Sequence, residues 1–281
     1  MTGCTPELGL DLSNLQRRVV SVSRRTDIPA WFGDAFVEKV KAGSVHYLHP
    51  YTREQMSVSL DPGDVIAFVF WSKNYAPFLT HIPFICDSYN ALFHFTVTGL
   101  PSVIEPYIPS KEDSVRTFQT LSRLSTPKSM IWRYDPILLS DTYNFQYHAR
   151  MFSEIAESLA GYTDKCYISY IHLYSKIRHT VMKVSQVQDT ITLQDSDLLY
   201  FMKATARANG MELFACCSPD MLDYGVRQAH CVDKSLLELI TGTSLPFLSK
   251  RPTRSGCGCY ASVDIGSYGT CRGGCIYCYA K

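Results

Sequence analysis

Short apolar runs recur along the chain and predict a series of β-strands. They are rich in β-branched and aromatic side chains, and a polar or turn-forming stretch follows each of them. Between most of these runs, apolar residues recur at the spacing of an amphipathic helix. The predicted strands lie at 19–23, 65–71, 91–98, 129–134, 166–174, 211–217 and 261–266.

Helix signals fill the gaps between the predicted strands. The segment 31–43 places Trp31, Phe32 and Phe36 on one stripe. A capping-box-like start at Ser110 predicts a second helix, and the segments 147–161 and 197–210 each end at a glycine suited to a helix C-terminus.

Strands that alternate with helices imply parallel βαβ units with right-handed connections. Seven such strands favour a complete or partial β/α (TIM-like) barrel over an open dinucleotide-binding fold, and the chain contains no GxGxxG or GxxxxGK[ST] motif. We therefore expect an α/β protein with a single domain over residues 1–281. Residues 1–18 would form an N-terminal extension, and the strand and loop at the C-terminus would carry the chemistry.

The charge balance argues against a nucleic-acid-binding protein. Lys and Arg number 27 and Asp and Glu number 26, whereas duplex recognition normally needs a strongly basic face. The longest apolar run, 65–71, is far shorter than the roughly 20 residues that cross a bilayer. The first residues lack the pattern of a signal peptide. We expect a cytoplasmic protein without membrane or nucleic-acid partners.

Eleven cysteines are unusual for a protein of that compartment, where thiols stay reduced, and they favour metal binding over disulfides. Three of them, Cys4, Cys86 and Cys166, are scattered, as core thiols usually are. The cysteine-rich part, 211–281, holds the other eight and is the predicted metal-binding part of the chain. These eight are Cys216, Cys217, Cys231, Cys257, Cys259, Cys271, Cys275 and Cys278.

Polar residues follow several of the predicted strands. Chemistry in β/α barrels takes place where the strands end, so a succession of polar strand ends predicts a polar binding mouth. Candidate contacts to a cofactor or substrate are Arg24, Asp27, Lys73, Arg133 and Asp135.

The last strand leads into "CRGGCIYC", a C-x3-C-x2-C loop. Its three thiolates must converge from one tight loop, and Gly273 and Gly274 allow the positive φ that such wrapping often needs. A structural zinc site takes four ligands, whereas a cubane iron–sulfur cluster held by three cysteines leaves one iron open for chemistry.

This loop resembles the cluster loop of the radical S-adenosylmethionine (radical SAM) enzymes. Along 19–280, segments such as "SVSRRTDIPAWF", "FVFWSKNYAP" and "WRYDPILL" resemble a bacterial family known as domain of unknown function 1848. In radical SAM enzymes the loop follows the first strand of the barrel, and here it follows the last. The arrangement is similar to a circular permutation.

The resemblance implies that Cys271, Cys275 and Cys278 bind a [4Fe–4S] cluster whose free iron binds S-adenosylmethionine. An electron, expected from a flavodoxin or ferredoxin, would cleave that cofactor to methionine and a 5′-deoxyadenosyl radical. The radical would abstract hydrogen from a small-molecule or peptide substrate that the resemblance does not specify.

A second set of cysteines predicts a second site. Cys257 and Cys259 are at i and i+2 and would point to the same face of an extended segment. With Cys217 and Cys231, or with Cys216 in place of Cys217, they could hold a second [4Fe–4S] cluster or a structural zinc.

Two other functions remain open at this point. One is an iron–sulfur or zinc protein whose metal stabilises the fold or senses redox state, without cleavage of S-adenosylmethionine. The other is repair of nucleic-acid lesions, based on a short likeness of "CIYCYA" to spore photoproduct lyase and on the basic residues Arg24 and Arg25.

Overall fold

A computed structural model describes residues 17–185 and 193–281. The predicted extension therefore lies almost wholly outside the described residues. Within them the main sheet and a separate hairpin account for ten strands. The strands are β1 Arg18–Val22, β2 Ser44–Leu48, β3 Gln55–Ser59, β4 Val65–Ser72, β5 Ala91–Thr96, β6 Met130–Ile137, β7 Lys165–Tyr170, β8 Glu212–Ala215, β9 Arg227–Gln228 and β10 Val263–Asp264.

Eight α-helices lie between these strands in the described residues. Four of them begin at a polar side chain that caps the first turn. The Ser110 hydroxyl, for example, accepts a hydrogen bond from the Asp113 N–H at 3.1 Å, which confirms the predicted start. The helices are α1 Ile28–Trp31, α2 Gly33–Lys41, α3 Ile82–Ser88, α4 Lys111–Leu124, α5 Phe145–Leu159, α6 Ser175–Ser185, α7 Leu193–Ala208 and α8 Lys234–Thr241.

The single helix predicted over 31–43 is wrong in one respect, because the chain forms α1 and then α2. Asp27 caps α1, and Pro29 occupies its first turn. At Phe32 the backbone leaves the helical region (φ −137°) before α2 begins. Trp31 and Phe32 are half-buried at this break, while Phe36 is fully inside the core.

Eight strands form one parallel sheet in the order β10-β1-β4-β5-β6-β7-β8-β9. Within the described part of the chain, the two edge strands β9 and β10 do not pair, so the sheet is open and the expected complete barrel does not form. Both edge strands are only two residues long, too short to close the ring. The α/β class is confirmed in this coarser form.

The last strand of the chain pairs with the first. Val20 of β1 lies opposite Val263 of β10, and the two run parallel. The Asp264 carboxylate fixes this pairing, since it accepts hydrogen bonds from the Ser21 hydroxyl (3.1 Å), the Ser23 hydroxyl (2.5 Å) and the Arg24 backbone N–H (3.0 Å). The loop after β10 therefore opens at the same end of the sheet as the loops after β1 and β4.

The two faces of the sheet are covered differently. The outer face packs phenylalanines such as Phe68, Phe70 and Phe93 against the helices. The inner face, with Val69 and Tyr167, packs against the segment 229–261. That segment contributes α8 and several cysteines, so the cysteine-rich part lies over the inner face of the sheet.

Strands β2 and β3 form an antiparallel hairpin apart from the main sheet, in which Val45 and Val58 face each other and are buried. No strand was predicted there. None of the described helices is both long enough and apolar enough to cross a membrane.

Candidate functional site

The polar residues after β1 and β4 lie together. Asp27 is half-buried, and its carboxylate accepts hydrogen bonds from the Ala30 N–H at 3.0 Å and from the Lys73 N–H at 2.9 Å. Burial raises the pKa of Asp27 to about 6, although these donors partly offset the effect. The carboxylate thus links the loop after β1 to the end of β4.

A buried ion pair stands beside Asp27. Lys73 Nζ lies 2.9 Å from Glu105 Oε1, and the Glu105 side chain is 4% exposed. The same oxygen accepts hydrogen bonds from the Thr98 hydroxyl at 2.9 Å and from the Tyr277 hydroxyl. Tyr277 lies between two of the terminal cysteines, so Glu105 joins the ends of β4 and β5 to the cysteine loop.

The terminal loop, residues 271–278, brings its thiols to this polar network. A Cβ built on Gly273 would lie 3.6 Å from Cys271 Sγ and 3.9 Å from Cys275 Sγ, so these two sulfurs flank the same backbone position. The backbone N–H groups of Gly273 and Asp27 both donate to Cys271. Cys275 is buried, and burial raises the pKa of its thiol to about 12.

Backbone and side-chain bonds hold the terminal loop in place. Ile276 N–H donates to the Ile104 carbonyl at 3.0 Å, and the Tyr279 hydroxyl donates to the Arg24 carbonyl at 2.8 Å. Gly274 adopts the positive φ of 70° that was expected in the loop, whereas Gly273 does not. The loop is therefore anchored on both sides, to the segment after β5 and to the loop after β1.

The structure separates the five predicted contact residues into two groups. Asp27 and Lys73 lie at the terminal loop. The Arg24 carbonyl also contacts this part of the chain, through the Tyr279 hydroxyl. The Arg24 side chain, however, lies over the Trp71 ring and donates to the Ser262 hydroxyl at 3.1 Å. Arg133 and Asp135 form an ion pair elsewhere on the inner face.

Arg133 lies against the other cysteines. Its guanidinium Nη1 is 3.1 Å from Cys231 Sγ, and Arg133 is 7% exposed. Asp135 balances this buried charge and accepts a hydrogen bond from the Ser169 hydroxyl. The polar end of β6 therefore faces the second group of thiols.

Five thiols of three separate segments meet on the inner face. The Cys216 and Cys231 sulfurs are 3.4 Å apart. Each of the five is in hydrogen-bonding contact with two others, so that the contacts close into a ring. We call this group the second thiol set; in ring order it consists of Cys216, Cys217, Cys257, Cys259 and Cys231.

Two local features of the backbone bring the segments together. Cys217 has φ +52°, a left-handed conformation that is uncommon for a residue other than glycine. A Cβ on Gly258 would lie 2.5 Å from the His230 ring, so only glycine permits this approach of the 257–259 segment. Both features occur at or next to a cysteine of the set.

Positive charge also faces the second thiol set. The Arg254 guanidinium donates a hydrogen bond to the Cys217 sulfur. Its Nη1 also donates to the Tyr174 hydroxyl at 2.9 Å. Hydrogen bonds from the Cys216 and Cys259 thiols, helped by the Arg133 charge, hold the pKa of Cys231 well below its usual value.

A family model described as "Domain of unknown function (DUF1848)" matches residues 19–280. The match spans nearly the whole chain, including both groups of cysteines. The chain belongs to this family. No curated protein and no solved structure matches the DUF1848 chain.

Among the described residues of this DUF1848 protein, no three His, Cys, Asp or Glu side chains are arranged around one point as ligands of a single metal ion. The donor set nevertheless fits an iron–sulfur cluster, because thiolates are the usual ligands of such clusters and a cluster is larger than one ion. The terminal loop supplies three thiols and the second thiol set supplies five.

Glu105 is the residue of this DUF1848 site that sequence reasoning missed. It lies in a loop nine residues after the last residue of β5, away from any predicted strand end. The only signal in the sequence is an acidic residue in the otherwise uncharged segment "LPSVIEPYIPS". Its role is visible only once β5 brings it to Lys73 and Tyr277.

Proposed function

We propose that this protein is a radical SAM-type enzyme whose terminal loop holds a [4Fe–4S] cluster. The observation that carries the proposal is a single short loop with three thiols, anchored at the ends of parallel strands beside a buried polar network. Such strand ends are where β/α enzymes place their chemistry. Three thiols leave one iron of a cubane without a protein ligand.

The strand order supports the permuted arrangement. Because β10 pairs with β1 in parallel, the loop after the last strand takes the place that a loop after a first strand would have. In a circular permutation the strands keep their neighbours in the sheet while the chain begins and ends at a different strand. The pairing of β10 with β1 is what such a permutation would give.

In this proposal Cys271, Cys275 and Cys278 hold the cluster. When bound, it supplies the electron that splits S-adenosylmethionine into methionine and a 5′-deoxyadenosyl radical, with a flavodoxin- or ferredoxin-type protein as the source of that electron. The chemistry so supplied would be the removal of a hydrogen atom from the substrate. The protein contributes binding, orientation and exclusion of water.

The polar network orients the loop. Glu105 accepts from Lys73 and Tyr277, and so fixes the segment between the second and third cysteines relative to β4 and β5. Asp27 holds the Lys73 backbone, and its own N–H donates to Cys271. Hydrogen bonds to a cluster's sulfurs and the burial of the site set its potential, so these residues act as positioning residues.

A cavity of about 390 Å³ lies beside the terminal loop and is a candidate for the substrate site. Thr98, Glu105, Ile108 and Ser110 are among its lining residues. Ile108 also reaches within 3.4 Å of a Cβ built on Gly273, so the cavity adjoins the cysteine loop. Its size and hydroxyl-rich lining suit a small polar molecule or a peptide side chain.

The reduced thiols that this site needs favour a reducing compartment such as the cytoplasm. Glutathione and thioredoxin there keep cysteines unpaired, and the ten cysteines in the described residues form no disulfide. A cluster loop with three free thiols suits such a compartment.

The experiment that tests the proposal is reductive cleavage of S-adenosylmethionine. The full chain is reconstituted anaerobically with iron and sulfide and reduced with dithionite, and 5′-deoxyadenosine is measured by chromatography. We expect product from wild type, and a drop of at least about 100-fold in Cys275→Ala, because a two-thiol loop cannot hold the cluster. Cys86→Ala removes a cysteine of α3 and serves as the matched control. A fully reconstituted wild type that forms no 5′-deoxyadenosine would refute the proposal.

A further inference from the structure

We propose that the surface around the terminal loop is the docking site of the electron donor, and that this donor is a carrier protein with an acidic face. The surface is centred on Arg25, Arg272 and Lys281, which we call the basic rim. This inference rests on the proposed function, because it names the partner of the same site by its chemistry. One electron passes from the reduced carrier, which is oxidised, to the group held by the terminal loop, which is reduced.

The cations of the basic rim border the terminal loop directly. Arg272 is an exposed residue of the loop itself. Lys281 is also exposed, and its Nζ donates to the Gly274 carbonyl at 3.0 Å. Arg25 follows β1 and is half-buried. Lys176 adds a further exposed cation, since its Nζ donates to the main-chain oxygen of Lys281 at 3.0 Å. Positive charge therefore surrounds the segment that carries the three thiols.

Negative charge nearby does not neutralise the basic rim. Among the described residues no carboxylate forms an ion pair with it. The carboxylates of the neighbouring loops, Asp27, Asp264 and Glu105, are buried or half-buried and hydrogen-bonded within the protein. Asp34, at the start of α2, is bonded to His81 at 2.6 Å. The whole chain has a formal net charge of only +1, so the positive charge is concentrated at this site.

Exposed aromatic and apolar side chains accompany the charges. Tyr107 is 67% exposed and Val103 is 56% exposed. A Cβ built on Gly274 would lie 3.0 Å from the Tyr107 ring, so this ring lies against the terminal loop. Tyr268 is 47% exposed, and the Arg25 guanidinium lies 5.5 Å from the centre of its ring. Tyrosine and arginine are enriched in protein–protein interfaces, so this surface suits a protein partner.

The surface fits an acidic electron carrier better than a nucleic acid. Cys271 and Cys278 are half-buried within it, so a partner that covers the basic rim approaches the thiols closely. A few cations around one loop are enough to steer an acidic protein into place. Recognition of a duplex normally needs a strongly basic face over a larger area.

Binding of an acidic bacterial flavodoxin tests this surface. The holoprotein is reconstituted anaerobically with iron and sulfide, and the Kd is measured by thermophoresis at an ionic strength of about 0.05 M. The double variant Arg272→Gln, Lys281→Gln should raise the Kd about tenfold, and the difference should shrink at about 0.5 M because salt screens exposed charges. Equal Kd values for the two chains would overturn the proposal. So would a wild type that does not bind the flavodoxin, or that binds a short DNA duplex more tightly.

A matched control removes one arginine and one lysine at the other end of the sheet. Arg123 lies in the last turn of α4, and Lys128 lies just before β6; both are exposed. The double variant Arg123→Gln, Lys128→Gln has the same net charge as the test variant, and its Kd should stay within about twofold of wild type. An equal rise in Kd in both double variants would show that net charge, and not the basic rim, determines binding.

The choice of reductant separates docking from the cleavage reaction. Formation of 5′-deoxyadenosine is measured with reduced flavodoxin and, separately, with dithionite, a small molecule that needs no docking surface. The ratio of the two rates should fall about tenfold in Arg272→Gln, Lys281→Gln. An unchanged ratio would overturn the proposal. If wild type forms no product with either reductant, the proposed function fails, while the binding measurement still decides whether the basic rim docks the carrier.

Discussion

The two groups of thiols differ in how the chain builds them. The terminal loop takes its three thiols from eight consecutive residues at the ends of β10 and β1, and Cys271 and Cys278 are half-buried. The second thiol set takes five thiols from three segments and places Cys216, Cys231 and Cys259 deep inside the fold.

This difference separates what each group does for the protein. A local loop at an open strand end can bind a group and present it to a substrate, while the fold hardly depends on it. Thiols from distant segments cross-link those segments when they bind the same metal. The free energy of metal binding then contributes to the free energy of folding. We therefore expect the terminal loop to serve reactivity and the second thiol set to serve stability.

The largest expected effect is a difference in the free energy of unfolding between Cys231→Ser and Cys278→Ser. Loss of a ligand in the second thiol set should lower the free energy of unfolding by about 4 kcal/mol, because a metal-linked staple and its buried charge balance are both disturbed. The same change at Cys278 should cost less than about 1 kcal/mol. Anaerobic denaturant unfolding followed by circular dichroism measures both. Equal costs at the two positions would show that the proposed division of roles is wrong.

Glu105→Gln should have the next largest effect. It removes the charge partner of Lys73, whose side chain is 14% exposed, and weakens the bond to Tyr277. Breaking a buried ion pair of this kind costs about 3 kcal/mol.

The control for Glu105→Gln is Glu38→Gln, which breaks the exposed pair with Lys41 and should cost less than about 0.5 kcal/mol. Iron bound at the terminal loop should also fall in Glu105→Gln and stay unchanged in Glu38→Gln. If the terminal cluster is bound and reduced in Glu105→Gln as it is in wild type, Glu105 does not position the terminal loop.

Chelation should distinguish the two groups by rate. The terminal loop is partly open to solvent, whereas the second thiol set is mostly buried. A chelator should therefore remove metal from the terminal loop about tenfold faster than from the second thiol set, equivalent to about 1.4 kcal/mol in barrier. Metal release is measured over time in the wild type and in the triple variant Cys271→Ala, Cys275→Ala, Cys278→Ala. A single rate for all metal in the wild type would argue against two sites of different burial.

The smallest effect concerns the pH dependence of stability at Asp27. Burial raises the pKa of Asp27 from 3.8 to about 6, so the folded state disfavours the ionised carboxylate. The wild type therefore loses stability as the pH rises from about 3.8 to about 6. Relative to wild type, Asp27→Asn should gain about 1 kcal/mol between about pH 5 and pH 7.5.

Thermal unfolding of the holoprotein across this pH range checks the expected gain in Asp27→Asn. The exposed Asp223→Asn serves as the matched control for the loss of a carboxylate. An Asp27→Asn curve parallel to that of wild type would mean that Asp27 ionises in the folded protein as an exposed carboxylate does.

The sequence predicted seven of the eight strands of the main sheet, because most of them lie in apolar runs. All seven predicted strands have a counterpart, from β1 to β10. The break at Phe32 and the hairpin of β2 and β3 were not predicted. In the hairpin, alternating polar residues such as those of "SVHYL" give a weak local signal. Whether an eight-stranded sheet closes depends on its edge strands. Strand β9 was not predicted, and the strand predicted at 261–266 is only the two residues of β10 in the structure.

The candidate sites show the same limit. The thiols of the terminal loop could be identified from spacing alone, because they are local. The placement of Arg133 beside Cys231 could not, since the two are 98 residues apart in sequence and meet only through the parallel pairing of β6 to β9. Glu105 likewise acquires its partners, Lys73 and Tyr277, from opposite parts of the chain.

The most direct test of the central claim is electron paramagnetic resonance on the anaerobically reconstituted, dithionite-reduced protein, with and without S-adenosylmethionine. We predict a [4Fe–4S]⁺ signal that changes when the cofactor is added to wild type and does not change in Cys275→Ala. A reduced-cluster signal in wild type that is indifferent to S-adenosylmethionine would contradict the assignment of the terminal loop as a reactive centre.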